Sequence, residues 1–267
     1  MILGASVCAA LAYCAAAFVL LREFIVQQVR KPLLSRGLGF LALTAHLAVV
    51  VSASIEPGGV NVSFYSALVL LSFVIALMVL IGGFLAPVRS LGIIAYPLSA
   101  LCLLIYATVG RGNERVVGYP WQLDIHIALS MFAFGLLLIA AAQALVLAYQ
   151  EYTLRKKKFG SMINRLPPLS VSETLLFQII TLGFVLLSLA LVSGIPFVTD
   201  MSAQHLVHKV FLAAIAWVVF GILLLGRLFR GWRGRTAIRM TLLGNFVLLL
   251  SYLGSKLVLE LILQRVS

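Results

Sequence analysis

The run Leu136-Leu137-Leu138-Ile139-Ala140-Ala141-Ala142 decides the fold class. Wound into a helix it is apolar on every side, a surface suited to hydrocarbon or to the inside of a bundle. It lacks the alternation of polar and apolar residues that a membrane β-barrel strand needs. Reading outward in both directions, the apolar character holds over residues 123–149, enough for the roughly 20 residues that carry a helix across a bilayer.

The same reading gives further spans near residues 2–21, 38–54, 63–85, 91–109, 174–195, 204–226 and 240–263. The expectation is an all-α polytopic membrane bundle of about eight transmembrane helices, formed by residues 1–267 as a single integral membrane domain. Composition agrees: 63% of residues are hydrophobic and 10% charged, with a mean hydropathy of +1.13, whereas a soluble domain carries about a quarter charged residues. Met1 to Leu21 has no positive charge before Arg22, so it reads as a retained first span and not as a secretory signal. Ser170 and Glu173 have capping-box spacing after Pro167-Pro168, which marks the start of the sixth span. Pro97 falls inside the fourth span, where it removes one backbone hydrogen bond. No internal repeat of the kind that marks many transporters is visible.

The net charge of +12 is a topology signal. Arg22, Arg30, Lys31, Arg36, Arg89, Arg155, Lys156, Lys157, Lys158, Arg165, Arg227, Arg230, Arg233, Arg235 and Arg239 all follow odd-numbered spans, and they are fifteen of the twenty basic residues. The positive-inside bias therefore puts those connections in the cytoplasm and both termini outside. Of the acidic residues only Glu23, Glu151 and Glu173 share that side. Such loops meet anionic membrane lipid, and nucleic acid is not an expected partner. Cys8, Cys14 and Cys102 lie within apolar spans, outside any C-x-x-C spacing, and read as small buried packing residues.

A polar or ionisable side chain in hydrocarbon costs roughly 2.5–3.5 kcal/mol on translocon scales, so each one is a functional candidate. His46 lies about 12 Å into the second span, near mid-membrane at 1.5 Å per residue. It reads either as a neutral imidazole bonded to a facing helix or as an axial ligand to haem. His126 opens the fifth span behind Tyr119-Pro120-Trp121, an interfacial aromatic cluster. His205 and His208 open the seventh span at the same outer level, and their i, i+3 spacing puts both on one helical face. Either could meet His126 across the bundle, or both could be interfacial and solvated. Zinc fits less well, since no cysteine pair or carboxylate completes a tetrahedral set. Asp124 reads as a helix-start charge, Lys256 and Glu260 as an i, i+4 pair, and Asn245 as a hydrogen-bonding link to another helix. No phosphate-binding loop, Ser–His–Asp set or carboxylate pair is present, so the chain is expected not to be an enzyme.

Asp124-Ile125-His126-Ile127-Ala128-Leu129-Ser130, Leu166-Pro167-Pro168-Leu169-Ser170, Arg230-Gly231-Trp232-Arg233-Gly234-Arg235 and Ser251-Tyr252-Leu253-Gly254-Ser255 together resemble the cytochrome c assembly (CcsA-type) membrane proteins. The resemblance covers nearly the whole chain and is strongest to the YpjD/HemX-like inner-membrane branch. It implies a multi-pass bacterial inner-membrane protein that holds haem b noncovalently through histidines, with His46, His126, His208 and His205 as cofactor-binding candidates and His126 with His208 as a pair on the haem iron. It also implies partners among cytochrome c maturation or haem-pathway proteins, and a role in cytochrome c assembly or haem homeostasis. His46 falls where the family's first membrane histidine is expected and His126 where its first outer one is. The second members would fall near Leu225 and Leu263, where this sequence has leucine, and the tryptophan-rich outer segment is missing, since the tryptophans are Trp121, Trp217 and Trp232. Two other readings remain open. One is a transporter of another hydrophobic or anionic solute along a path lined by His46 and Lys256; the other is a regulator or scaffold acting through loops 151–172 and 227–239 on a cytoplasmic partner.

Overall fold

A computed structural model describes residues 2–26, 32–56, 59–60, 63–85, 89–109, 121–156, 166–198 and 204–254. Among them are eight α-helices: α1 (Ile2–Val26), α2 (Pro32–Ser54), α3 (Phe64–Leu85), α4 (Gly92–Val109), α5 (Trp121–Arg155), α6 (Leu169–Val198), α7 (Gln204–Arg230) and α8 (Gly234–Leu249). A 3-10 turn, Arg89–Leu91, leads into α4, and a π turn, Leu250–Gly254, continues α8. Between α2 and α3 the chain makes a two-residue antiparallel ladder in which Ile55 pairs with Val60 and Glu56 with Gly59. Among the described residues, 7 helices are long and apolar enough to cross a membrane. α8 is the remaining helix, and residues 255–263 of its expected span lie outside the described residues.

The helices run past the apolar windows that announced them. α5 continues to Arg155, and α7 takes in Arg227 and Arg230 in its last turn. Backbone hydrogen bonding does not stop where hydrocarbon does, and long basic side chains reach back to the head groups from a helix that protrudes. Pro97 sits inside α4, whose helix runs through it.

The chain divides into two compact units. The first comprises residues 1–120 with 164–166, the second 121–163 with 167–267. In the first, α1 packs on α2 and α4, and α3 packs on α2 and α4. Small residues on α1 (Ala9, Ala16 and Ala17) are buried, which lets helix backbones approach closely. Hydroxyls cross between helices where carbonyls can receive them: Ser66 Oγ donates to the Ala53 carbonyl at 3.1 Å and Ser99 Oγ to the Ser72 carbonyl at 3.1 Å. In the second unit α5 packs along α6 and on α8, and α7 packs on α6 and α8. Trp217 of α7 stacks on Phe184 of α6 and donates its indole N–H to Ser188 Oγ at 2.8 Å.

Three local expectations are corrected. Cys8 and Cys14 are exposed on α1 and Cys102 is half-buried; a thiol is a small hydrophobe and suits a lipid-facing surface as well as a core. Asn245 is buried, but its Nδ2 donates within its own helix to the Thr241 carbonyl at 3.0 Å and not to a neighbouring helix. Glu173 does not cap the start of α6, which begins at Leu169. Its carboxylate instead accepts the Gly234 backbone N–H at 2.9 Å and the Arg233 Nε–H at 2.8 Å.

That last contact explains the Gly-Trp-Arg-Gly-Arg motif. Gly231 and Gly234 have φ of +63° and +52°, a left-handed region open to glycine at little cost. Between them the chain doubles back: the Trp232 N–H donates to the Gly226 carbonyl at 3.1 Å, and Arg227 donates to the Trp232 carbonyl at 3.3 Å. Arg235 lies 3.8 Å from Glu151. The motif is a corner clamped to two acidic residues of α5 and α6.

Candidate functional site

His46 is fully buried, with no exposed surface. Its Nδ1 lies 3.1 Å from the hydroxyl of Tyr13, on α1, which is also fully buried. Phe73 of α3 meets the imidazole edge-on with centroids 5.4 Å apart, and Tyr96 of α4 stacks on Tyr13 at 5.4 Å. All four helices of the first unit thus contribute a ring to this cluster. The phenol can donate to a bare Nδ1 or accept from a protonated one, so the pair suits either imidazole tautomer. Nε2, the other ring nitrogen, is buried and makes no hydrogen bond; the Val69 backbone lies near the imidazole. A buried imidazole nitrogen without a partner is the kind of polar atom that calls for an explanation.

His126, one turn into α5, places Nδ1 3.1 Å from Ser193 Oγ on α6. Ser193 also donates its own hydroxyl to the Ala190 carbonyl at 3.0 Å, and the roles in its contact with the ring follow the tautomer of His126. Gly194 makes the approach possible, because a Cβ there would lie 2.9 Å from the ring's Cε1. Asp124 stands in the first turn of α5, as expected of a helix-start charge.

His205 and His208 belong to the first turns of α7, and their side chains lie outside the described residues, as do Lys256 and Glu260. A meeting of His126 with either histidine therefore falls outside what is described; among the described residues His126 contacts Ser193. Among the described residues no group of three or more His, Cys, Asp or Glu is placed to hold a metal ion. Imidazole nitrogen is a ligand type that haem iron accepts, and the unpartnered Nε2 of His46 is a donor of that kind. Tyr13, Ser193 and Gly194 are site residues that the sequence reading missed. Tyr13 carries a faint signal, a phenol among alanines in a first span; the other two have none.

The three acidic residues of the basic side each bind an arginine: Glu23 with Arg89 at 2.6 Å, Glu173 with Arg233 at 2.8 Å and Glu151 with Arg235 at 3.8 Å. They fasten helix ends.

The family model described as cytochrome C assembly protein matches residues 34–263. The chain belongs to the cytochrome c assembly protein family. Within it, the chain is 33% identical over 234 residues to the inner membrane protein YpjD of Escherichia coli K12, a match that covers 83% of this chain and 85% of that one. It is 32% identical over 159 residues to an uncharacterized 28.8 kDa protein of Azospirillum brasilense, covering 59% of this chain and 57% of the other. Similarity to the cytochrome c biogenesis protein CcsA of Prochlorococcus marinus (strain NATL1A) is 26% over 162 residues, 51% of each chain. No solved structure matches. With its seven apolar helices and its likeness to a named inner-membrane relative, this member of the family is a multi-pass inner-membrane protein.

Proposed function

We propose that the chain holds haem b noncovalently in the membrane and serves cytochrome c assembly or haem homeostasis, with His46 as a ligand that would hold it. One observation carries the reading: a fully buried His46 whose Nδ1 faces the Tyr13 hydroxyl while Nε2 makes no hydrogen bond. Metal-binding histidines keep one ring nitrogen on an oxygen partner and offer the other to the metal. When Nε2 gives its lone pair, the proton sits on Nδ1 and Tyr13 becomes its acceptor. Phe73 is half-buried, and as the least enclosed ring around the imidazole it is the one that can yield. Bound haem would supply an iron centre and a large apolar surface; the chain's part is to bind, orient and keep water away. His126 is the second candidate ligand, and His208 and His205 are its candidate partners. Likeness to a relative named for cytochrome c biogenesis supports the assignment to that process, whose other proteins are the expected partners.

An absorption spectrum of the protein in mild detergent, oxidised and dithionite-reduced, with a pyridine haemochrome assay, tests this. The expected result is a Soret band with sharp reduced α and β bands, near one haem per chain, lost in His46→Ala. His46→Gly with added imidazole restores the band if the loss is one of ligation and not of folding. Protein that stays colourless when haem is supplied overturns the reading.

A further inference from the structure

A buried imidazole meets a ligand only where something that covers it can move. Nδ1 of His46 is turned to Tyr13 of α1, and the two nitrogens of an imidazole ring aim in widely divergent directions, so the unpartnered Nε2 looks away from α1. Beyond Tyr13, the ring meets α3 through Phe73, edge-on at 85° with centroids 5.4 Å apart. Toward the basic end the way is blocked by Tyr96, which is buried and stacked on Tyr13. The space near Tyr96, lined also by Leu20, Ser35 and Arg89, is a cavity of about 10 Å³, room for about one water. Toward the other end Ser66 of α3 is tied to the Ala53 carbonyl of α2 at 3.1 Å, and Val49, Val50, Ala53 and Ala67 are all buried. Among the rings of this cluster, Phe73 is the one that reaches the surface. It is half-buried, as are Leu70 and Leu77, about one turn to either side of it on α3.

We propose that Phe73 is the movable cover of His46, and that a lipophilic ligand reaches Nε2 sideways, through the apolar flank of the first unit, when this ring swings aside. The proposal rests on the haem reading above and adds to it the route and the residue that controls it. Tyr13 is unsuited to the part, because its departure would strand its own hydroxyl and Nδ1 of His46, both buried. Phe73 has no hydrogen bond to lose, and its outward turn costs one edge-on ring contact. A flank of Leu70, Phe73 and Leu77 admits the apolar body of a porphyrin and turns away hydrated ions, which would have to shed water without a partner. Since the ring covers the donor while no ligand is bound, the affinity that is measured is reduced by the fraction of molecules in which the cover is open.

The test uses the full chain in mild detergent, with haem loading followed by stopped flow at the Soret band and affinity by titration of the same band. Phe73→Ala should load faster and bind more tightly, each by up to about tenfold, the factor that a lost edge-on ring contact supplies. Phe73→Trp should load more slowly, and Ile81→Ala, an exposed change about two turns further along α3, should match the unaltered chain. A ring that only packs against the ligand predicts the opposite sign for Phe73→Ala, weaker binding. If Phe73→Ala does not fold, Phe73→Leu, which keeps an apolar side chain and loses the ring, should show the same gain in smaller measure. Weaker binding by these variants, or one loading rate in every variant with a normal Soret band, overturns the cover and leaves the haem reading standing. Protein that stays colourless in every variant overturns the haem reading, and the cover falls with it.

Discussion

Tyr13 and His46 are bonded hydroxyl to Nδ1 at 3.1 Å, and neither has any exposed surface. The pair joins α1 to α2 at a depth where no water can replace a lost partner. Tyr13→Phe leaves Nδ1 buried and unpaired, at a cost of about 1–3 kcal/mol. A lower unfolding midpoint for the haem-free protein checks this. If His46 ligates haem, the same variant should weaken haem binding by roughly 10–100-fold, read by titration of the Soret band.

Gly231 and Gly234 separate two costs. Alanine at either one adopts a left-handed backbone, about 1–2 kcal/mol unfavourable for an L side chain. At Gly231 the added Cβ meets open space, whereas at Gly234 it collides with the Glu151 carboxylate. Gly234→Ala should therefore lower the midpoint of thermal unfolding clearly more than Gly231→Ala. Equal losses would contradict the clamped corner.

Glu173 receives both a backbone N–H and an arginine. Glu173→Ala removes charge-assisted bonds of about 1.5–3 kcal/mol each before relaxation, and it should cost more than Arg233→Ala, whose side chain is 58% exposed. Thermal unfolding of the two variants side by side gives the comparison.

Gly194→Ala places a methyl group 2.9 Å from His126 Cε1. The ring must shift and the Ser193 contact must lengthen, with a penalty of about 1–3 kcal/mol for overpacking. Any spectral signature lost in His126→Ala should be altered in Gly194→Ala too, and a signature indifferent to both would remove His126 from haem binding.

Orientation has its own test. Trp121 and Arg155 are the two ends of α5, and both are exposed. In a background with Cys8, Cys14 and Cys102 replaced by serine, a membrane-impermeant maleimide applied to spheroplasts should label Trp121→Cys and not Arg155→Cys. The reverse pattern would invert the topology read from the basic loops.

The spans and the class of fold were legible because hydrocarbon imposes a length and a composition that few other structures need. His46 was legible because a lone polar residue among apolar ones stands out. Its partner was not: which face of α1 meets α2 is set by packing, and in a membrane both the buried and the lipid-facing sides are apolar. The same ambiguity hid the exposure of Cys8 and Cys14. Glu173 misled for a different reason. Its local spacing satisfied a helix-start rule, while the free N–H of α8, sixty-one residues away in sequence, was the partner the carboxylate took.

The clamped corner also constrains how the chain is built. Three residues, Gly231 to Arg233, separate α7 from α8, too few to let one helix integrate into the bilayer while the other waits outside. The tip of the corner can lock only onto helices already in place, because Glu151 and Glu173 belong to α5 and α6, made earlier in synthesis. Closure of this corner therefore has to follow the placement of α5 and α6. A chain whose tip cannot dock would present unpaired acidic groups at the membrane surface, a mark by which quality control could tell an unfinished bundle from a finished one.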